Sequence, residues 1–116
     1  MYRLNPMAKP YQHFGGAGFT PDAETDLLGG AITPKLPPSI LRIFISVGTD
    51  TTFLATMTRS GTANQVTFNS GVDLTADCLY AFDMPTSTLD SAITFQTAAL
   101  VDIVSLTIQE IFFAGQ

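Results

Sequence analysis

From Ser39 onward, apolar and polar residues alternate in short runs separated by turn formers, the period-2 signature of half-buried β-strands. Ser39 to Val47 sets Leu41, Ile43, Ile45 and Val47 on one face and Ile40, Arg42, Phe44 and Ser46 on the other. Gly48-Thr49-Asp50 then reads as a turn. Thr51 to Arg59 is the return strand, rich in β-branched Thr, with Phe53, Ala55 and Met57 opposite Leu54, Thr56 and Thr58. Ser60-Gly61-Thr62 closes it, and Gln65 to Asn69 reads as a short strand before the turn residues Asn69-Ser70-Gly71. Leu79 to Met84 sets Leu79, Ala81 and Asp83 against Tyr80, Phe82 and Met84, and Pro85 ends that run. Ala92 to Thr97 brings Ile93 and Phe95 onto one face.

The last segment, from about Val101 to Phe113, fits two periods. Leu100, Ile103, Val104, Thr107, Ile108 and Ile111 fall on a helical stripe, but their β-branched character and the aromatic pair Phe112-Phe113 favour a strand. As a strand it sets Val104, Leu106 and Ile108 on one face and Ile103, Ser105, Thr107 and Gln109 on the other. Six strands joined by turns rich in Gly, Asn, Ser and Asp predict an all-β fold, a small antiparallel β-sandwich or a jelly-roll-like barrel, over residues 39–116.

Residues 1–38 have another character. They hold six of the seven prolines and the glycines Gly15, Gly16, Gly18, Gly29 and Gly30, with no sustained periodic run. Proline fixes φ and removes a ladder donor, so the segment is expected to be an extended, irregular N-terminal arm. It is not a solvated linker, because Tyr2, Leu4, Met7, Tyr11, Phe14, Phe19, Leu27, Leu28, Ile32 and Leu36 are spread along it as candidate partner-binding anchors. One helical turn is expected at Pro21 to Leu28, with Thr20 as cap, Pro21 in the first helical position and acids in the first turn.

The 116 residues suffice for one core, and at 46 % apolar and 13 % charged they are far from the composition of a disordered chain. The net charge is -5, and no Lys or Arg occurs beyond Arg59. A phosphate backbone would be repelled, so nucleic acid is not an expected partner. Met1 to Phe14 is broken by Arg3, Asn5, Pro6, Lys9 and Pro10, so no signal peptide is expected there. Asp102, Gln109 and Glu110 interrupt the most apolar stretch, Ala98 to Ala114, which argues against a membrane helix. A single cysteine permits no internal disulfide. A body of this size gains about 3–5 kcal/mol from one core, so further stabilisation from oligomerisation or docking is expected.

No catalytic set is legible, and no enzyme activity, metal or cofactor is expected. His13 has no second His or Cys near it in sequence, and Cys78 has no base beside it and is expected to be buried and inert. Asp73, Asp77, Asp83 and Asp90 lack the spacing of a calcium loop and read as turn caps. Gly15-Gly16-Ala17-Gly18 has no preceding strand in the pattern and no following Lys-Ser or Lys-Thr, so it is not read as a phosphate loop. Glu110 is expected to pair with Arg42 or Arg59, or to guard a sheet edge.

The run from Asn69 to Pro85, with its G-x-x-L-x-A-x-x-L-Y-x-F pattern, followed by Asp90 and Ile93-Thr94-Phe95-Gln96, resembles segments of small virion proteins of tailed bacteriophages and related viruses. That resemblance covers under a third of the chain, and its motif is essentially that of a β-hairpin. It implies a capsid decoration or cement protein, or part of a spike, located in the virion, forming a homo-oligomer such as a trimer and contacting a major capsid or other virion protein. The competing reading is a ligand- or carbohydrate-binding β-sandwich module of a fibre or adhesin, using Tyr2, Tyr11 or Tyr80. The absence of Trp counts against it.

Overall fold

The alternating runs do form strands, and each hides its apolar face between two antiparallel sheets. The computed structural model of the chain describes the backbone of residues 3–4, 11–21 and 23–114, and the side chains of 18–21 and 23–112. In chain order the strands are β1 (Arg3–Leu4), β2 (Tyr11–Phe19), β3 (Ile40–Val47), β4 (Phe53–Arg59), β5 (Thr62–Thr67), β6 (Tyr80–Pro85), β7 (Asp90–Thr97), β8 (Ile103–Ile111) and β9 (Phe113–Ala114). One sheet has the order β2-β8-β3-β6 and the other β5-β4-β7, while β1 pairs with β9. This is the small β-sandwich that the pattern predicts.

The core is the seam between the layers. Leu41, Ile43, Ile45 and Val47 of β3 and Ile103, Leu106 and Ile108 of β8 face Phe53, Ala55 and Met57 of β4 and Ile93 and Phe95 of β7, and all are buried. Phe53 is the hub: its ring centroid lies 4.9 Å from Phe68, 6.0 Å from Phe95 and 6.3 Å from Phe82. Each such buried Val, Leu, Ile, Phe or Met side chain is worth roughly 1.5–3 kcal/mol relative to exposure. The ring pairs add about 0.5–1.5 kcal/mol each in these offset or tilted geometries.

Two bulges set the phase of the strands. Ser46 pairs with Ser105 but Val47 pairs with Ile103, which leaves Val104 unmatched and exposed. The bulge turns Ile103 inward, so the expected face of Val104, Leu106 and Ile108 is corrected to Ile103, Leu106 and Ile108. A second irregularity, between Thr56 and Thr58 on β4, lies beside Ala92 of β7, whose φ is 49°.

Other boundaries moved for local reasons. Arg59 pairs directly with Thr62 across Ser60 and Gly61, whose φ angles of 52° and 82° are those of a type I′ hairpin turn. β5 therefore starts at once, ahead of the expected Gln65, and is not followed to Asn69, which opens a short 3-10 turn. Pattern alone misses this start because Thr62, Ala63, Asn64 and Gln65 are all exposed and show no alternation of burial.

The largest correction concerns residues 11–38. Tyr11–Phe19 forms an edge strand, paired with β8 from Tyr11 opposite Glu110 to Phe19 opposite Ile103 with one register shift between Gln12 and Phe14. Its glycines carry no side-chain alternation to read, and backbone bonding to β8 supplies the order. Among the described residues of 21–28 the expected helical turn does not form. Two successive turns take its place, closed by Asp26 N–H to Ala23 O (3.3 Å) and Gly29 N–H to Asp26 O (3.2 Å). Between and beyond these turns the chain bonds to β7: Thr97 N–H donates to Glu24 O at 3.0 Å, Leu27 N–H to Phe95 O at 2.9 Å, and Ile32 and Ile93 exchange bonds of 2.9 and 2.7 Å. The N-terminal segment thus closes an edge of each sheet along one flank of the sandwich.

Leu27 makes this segment part of the core, being 3 % exposed. We predict that Leu27→Ala lowers the unfolding free energy by about 2–5 kcal/mol, read from the denaturant midpoint. Leu36→Ala, at a side chain 63 % exposed, should change it by less than about 0.5 kcal/mol. Equal small effects would mean that residues 20–38 are not integral to the fold.

Candidate interaction surface

Charged side chains are few, and most of those in the sheets are spent on structure. Arg42 of β3 and Asp83 of β6 are direct cross-strand neighbours and form a two-pronged pair, Nε to Oδ1 at 2.8 Å and Nη2 to Oδ2 at 3.0 Å. Arg59 of β4 and Asp90 of β7 repeat the arrangement in the other sheet at 2.7 and 3.0 Å. Asp90 Oδ2 also accepts the Ser87 N–H at 2.8 Å, which closes the turn into β7. Hydrogen bonds from Arg59 hold the Asp90 carboxyl below its ordinary range, with the Ser87 N–H and the Arg59 charge acting the same way against burial. Arg42 lowers Asp83 likewise, its hydrogen bonds first, and both guanidiniums are raised. Asp83 and Asp90, expected as turn caps, are therefore ion-pair partners, and Asp90 is a cap as well.

Glu110 does not make the bonds expected of it with Arg42 or Arg59, each of which is engaged with its own aspartate. It is fully buried, and its carboxylate gathers the chain entering β3: Oε1 accepts the Lys35 N–H at 2.8 Å, and Oε2 accepts the Leu36 N–H at 3.2 Å and the Ser39 hydroxyl at 2.7 Å. Ser39 in turn gives its N–H to Thr86 Oγ1 at 3.0 Å, and its carbonyl accepts the Thr86 N–H at 2.8 Å. One acid on the otherwise apolar inner face of β8 thus satisfies a proline-flanked segment that has no ladder of its own.

The remaining candidates lie apart. Cys78 is exposed, which corrects its expected burial; it follows Asp77, whose φ is 62°, in the loop before β6. His13 lies where the β2–β8 register shifts, between Gln12 and Phe14. Among the described residues no three His, Cys, Asp or Glu side chains are grouped as metal ligands, and no helix is long and apolar enough to cross a membrane.

The candidate arm anchors divide. Tyr2 and Met7 lie outside the described residues, and Leu4, Tyr11 and Phe14 are described by their strand backbone alone. Leu27 is buried, and Phe19, Leu28 and Ile32 pack against this chain's own core. Leu36 stands exposed.

What sequence reasoning missed is a surface. β3, β5 and β7 end, and β4, β6 and β8 begin, at the same end of the sandwich, so the connections 48–52, 68–79 and 98–102 gather there. They carry Asp50, Asp73, Asp77 and Asp102 and no Lys or Arg. They also expose Val72, Leu79 and Leu100, with Leu79 68 % exposed. The loops are braced: Asp50 Oδ1 accepts the Ala76 N–H at 2.7 Å, Asp102 Oδ1 accepts the Thr20 hydroxyl at 2.6 Å, and Asp102 O accepts the Gly48 N–H at 2.8 Å. A braced loop cluster with apolar tips and acidic flanks is a surface suited to contact. Val72 and Leu79 share one connection and Leu100 lies on another, so only strand topology reveals that all three sit at one end of the sandwich.

Two substitutions test the buried carboxylates. Asp90 has a lower pKa folded than unfolded, so its contribution is complete above about pH 4 and is lost as pH falls through the folded value. Asp90→Asn should cost about 1–2 kcal/mol at pH 7, and in acid unfolding curves its gap from the parent should close toward pH 2. Glu110→Gln keeps the shape but meets N–H donors with a further donor, and should cost about 2–3 kcal/mol in the denaturant midpoint. Compared with protein-family models, with curated proteins and with solved structures, the chain matches none.

Proposed function

We propose that this protein is a non-enzymatic structural subunit of a virus particle, a capsid decoration or cement protein that acts by covering surface on a shell and between copies of itself. The observation that carries the reading is the loop end, where Val72, Leu79 and Leu100 are held out in solvent by braced connections. Exposed leucines on a fixed scaffold cost solubility unless a partner covers them. The stretch resembling virion proteins, Asn69 to Pro85, builds the largest of these loops and runs into β6.

The contact now assigned differs from an arm reaching outward. Phe19, Leu27, Leu28 and Ile32 are engaged with the sandwich itself, so gripping falls to the loop end and to Leu36. The ligand-binding alternative is weakened at one of its tyrosines: the Tyr80 hydroxyl accepts the Thr75 N–H at 2.9 Å, and its ring stacks on Phe82 at 6.0 Å.

Particles purified by density gradient from a culture carrying the gene should contain the chain in stoichiometric amount relative to the main shell protein. Leu79→Ser combined with Leu100→Ser, at exposed positions, should leave the thermal midpoint unchanged and cut retention on the particle at least tenfold, on the order of 1.4 kcal/mol or more. A chain recovered only from the particle-free fraction would sink the proposal.

A further inference from the structure

A sandwich of two open sheets has four edges, and three of them are defended. The edge of β7 is bonded to residues 24–32. β6 carries an exposed Asp83 and Pro85, which lacks an N–H, and β2 is rich in glycine and broken in register between Gln12 and Phe14. β5 has none of these protections. No charged residue occurs from Ser60 to Val72, and Thr62-Ala63-Asn64-Gln65-Val66-Thr67 contains neither Pro nor Gly.

The hairpin fixes which of its backbone groups are open. In a two-residue turn the closing pair, here Arg59 and Thr62, exchanges both bonds, so Thr62, Asn64 and Val66 face β4. The Phe68 N–H continues that alternation by donating to Phe53 O at 3.1 Å. Ala63, Gln65 and Thr67 therefore present their N–H and C=O groups outward.

We infer that β5 is a docking edge for β5 of a second copy, joined antiparallel across a twofold axis so that two three-stranded sheets become one of six. The inference rests on the reading of the chain as an assembling subunit and names one of its contacts. Charge selects the occupant. Copies that each carry -5 repel where their acids meet, and the acidic loop end cannot face itself without cost. The β5 edge is uncharged and self-complementary: centred on Gln65, it sets Ala63 opposite the partner's Thr67 and Gln65 opposite the partner's Gln65. An edge this short gives a weak contact, on the order of micromolar, strengthened when other surfaces hold the copies together.

Sedimentation of the full chain from about 1 to 100 μM should show a concentration-dependent dimer. Gln65→Lys, which places like charges across the axis, should raise the dissociation constant at least tenfold at low salt without moving the thermal midpoint. In a Cys78→Ser background, Gln65→Cys should oxidise to a covalent dimer, since opposed bonded-pair Cα atoms lie about 5.5 Å apart, within disulfide reach. A dimer indifferent to Gln65→Lys that resists this cross-link overturns the β5 contact. A chain that stays monomeric at about 100 μM yet is found on particles overturns the β5 contact alone, and one that is monomeric and absent from particles overturns the assembling-subunit reading with it.

Discussion

A β-sheet edge is a row of backbone donors and acceptors that must be bonded, hydrated or guarded, and the rest of this molecule is arranged around that constraint. Two sheets of four and three strands bury one apolar face each, which is enough to hold Phe53, Phe95 and the β3 and β8 aliphatics out of water. No strand of one sheet pairs with a strand of the other among the described residues, so each sheet keeps its two edges. The N-terminal segment resolves half of the problem by giving β2 to β8 and residues 24–32 to β7, so a stretch with the composition of an arm becomes the seal of one flank.

That seal needs its own fastening, because a proline-rich strand of chain has few bonds to offer. Glu110 provides it from the interior of β8, taking the Lys35 and Leu36 amides and the Ser39 hydroxyl, while Ser39 and Thr86 tie the start of β3 to the end of β6. A buried acid is costly without partners and ordering with them. Arg42–Asp83 and Arg59–Asp90 are a second economy of the same kind, each clipping adjacent strands of one sheet. The cations of the two central strands are thereby engaged, and the acids of the connecting loops give the surface its character.

Function, on this view, belongs to the surface that remains. The loop end offers apolar tips among carboxylates, and β5 offers an uncharged edge; they lie on different parts of the sandwich and suit different partners. On the proposed reading, the first would meet a foreign surface and the second a copy of the same chain. Segregating the two would let a molecule of net negative charge pair through β5, as proposed, without bringing its acidic loops together.

Alternation by itself determined the all-β class, the inward faces of β3 and β4 and the placing of Ile93 and Phe95, because a strand with one buried face must write its apolar residues two apart. It could not locate β2, whose glycines have no side chains to alternate, nor the start of β5, which buries neither face there. Nor could it phase β8, where the unpaired Val104 reverses the faces, or find the partners of Glu110, which lie 71 to 75 residues away in sequence. Those features were decided by backbone pairing between distant segments. Such pairing depends on which strand lies beside which, and residue type carries that information only where a side chain must choose between oil and water.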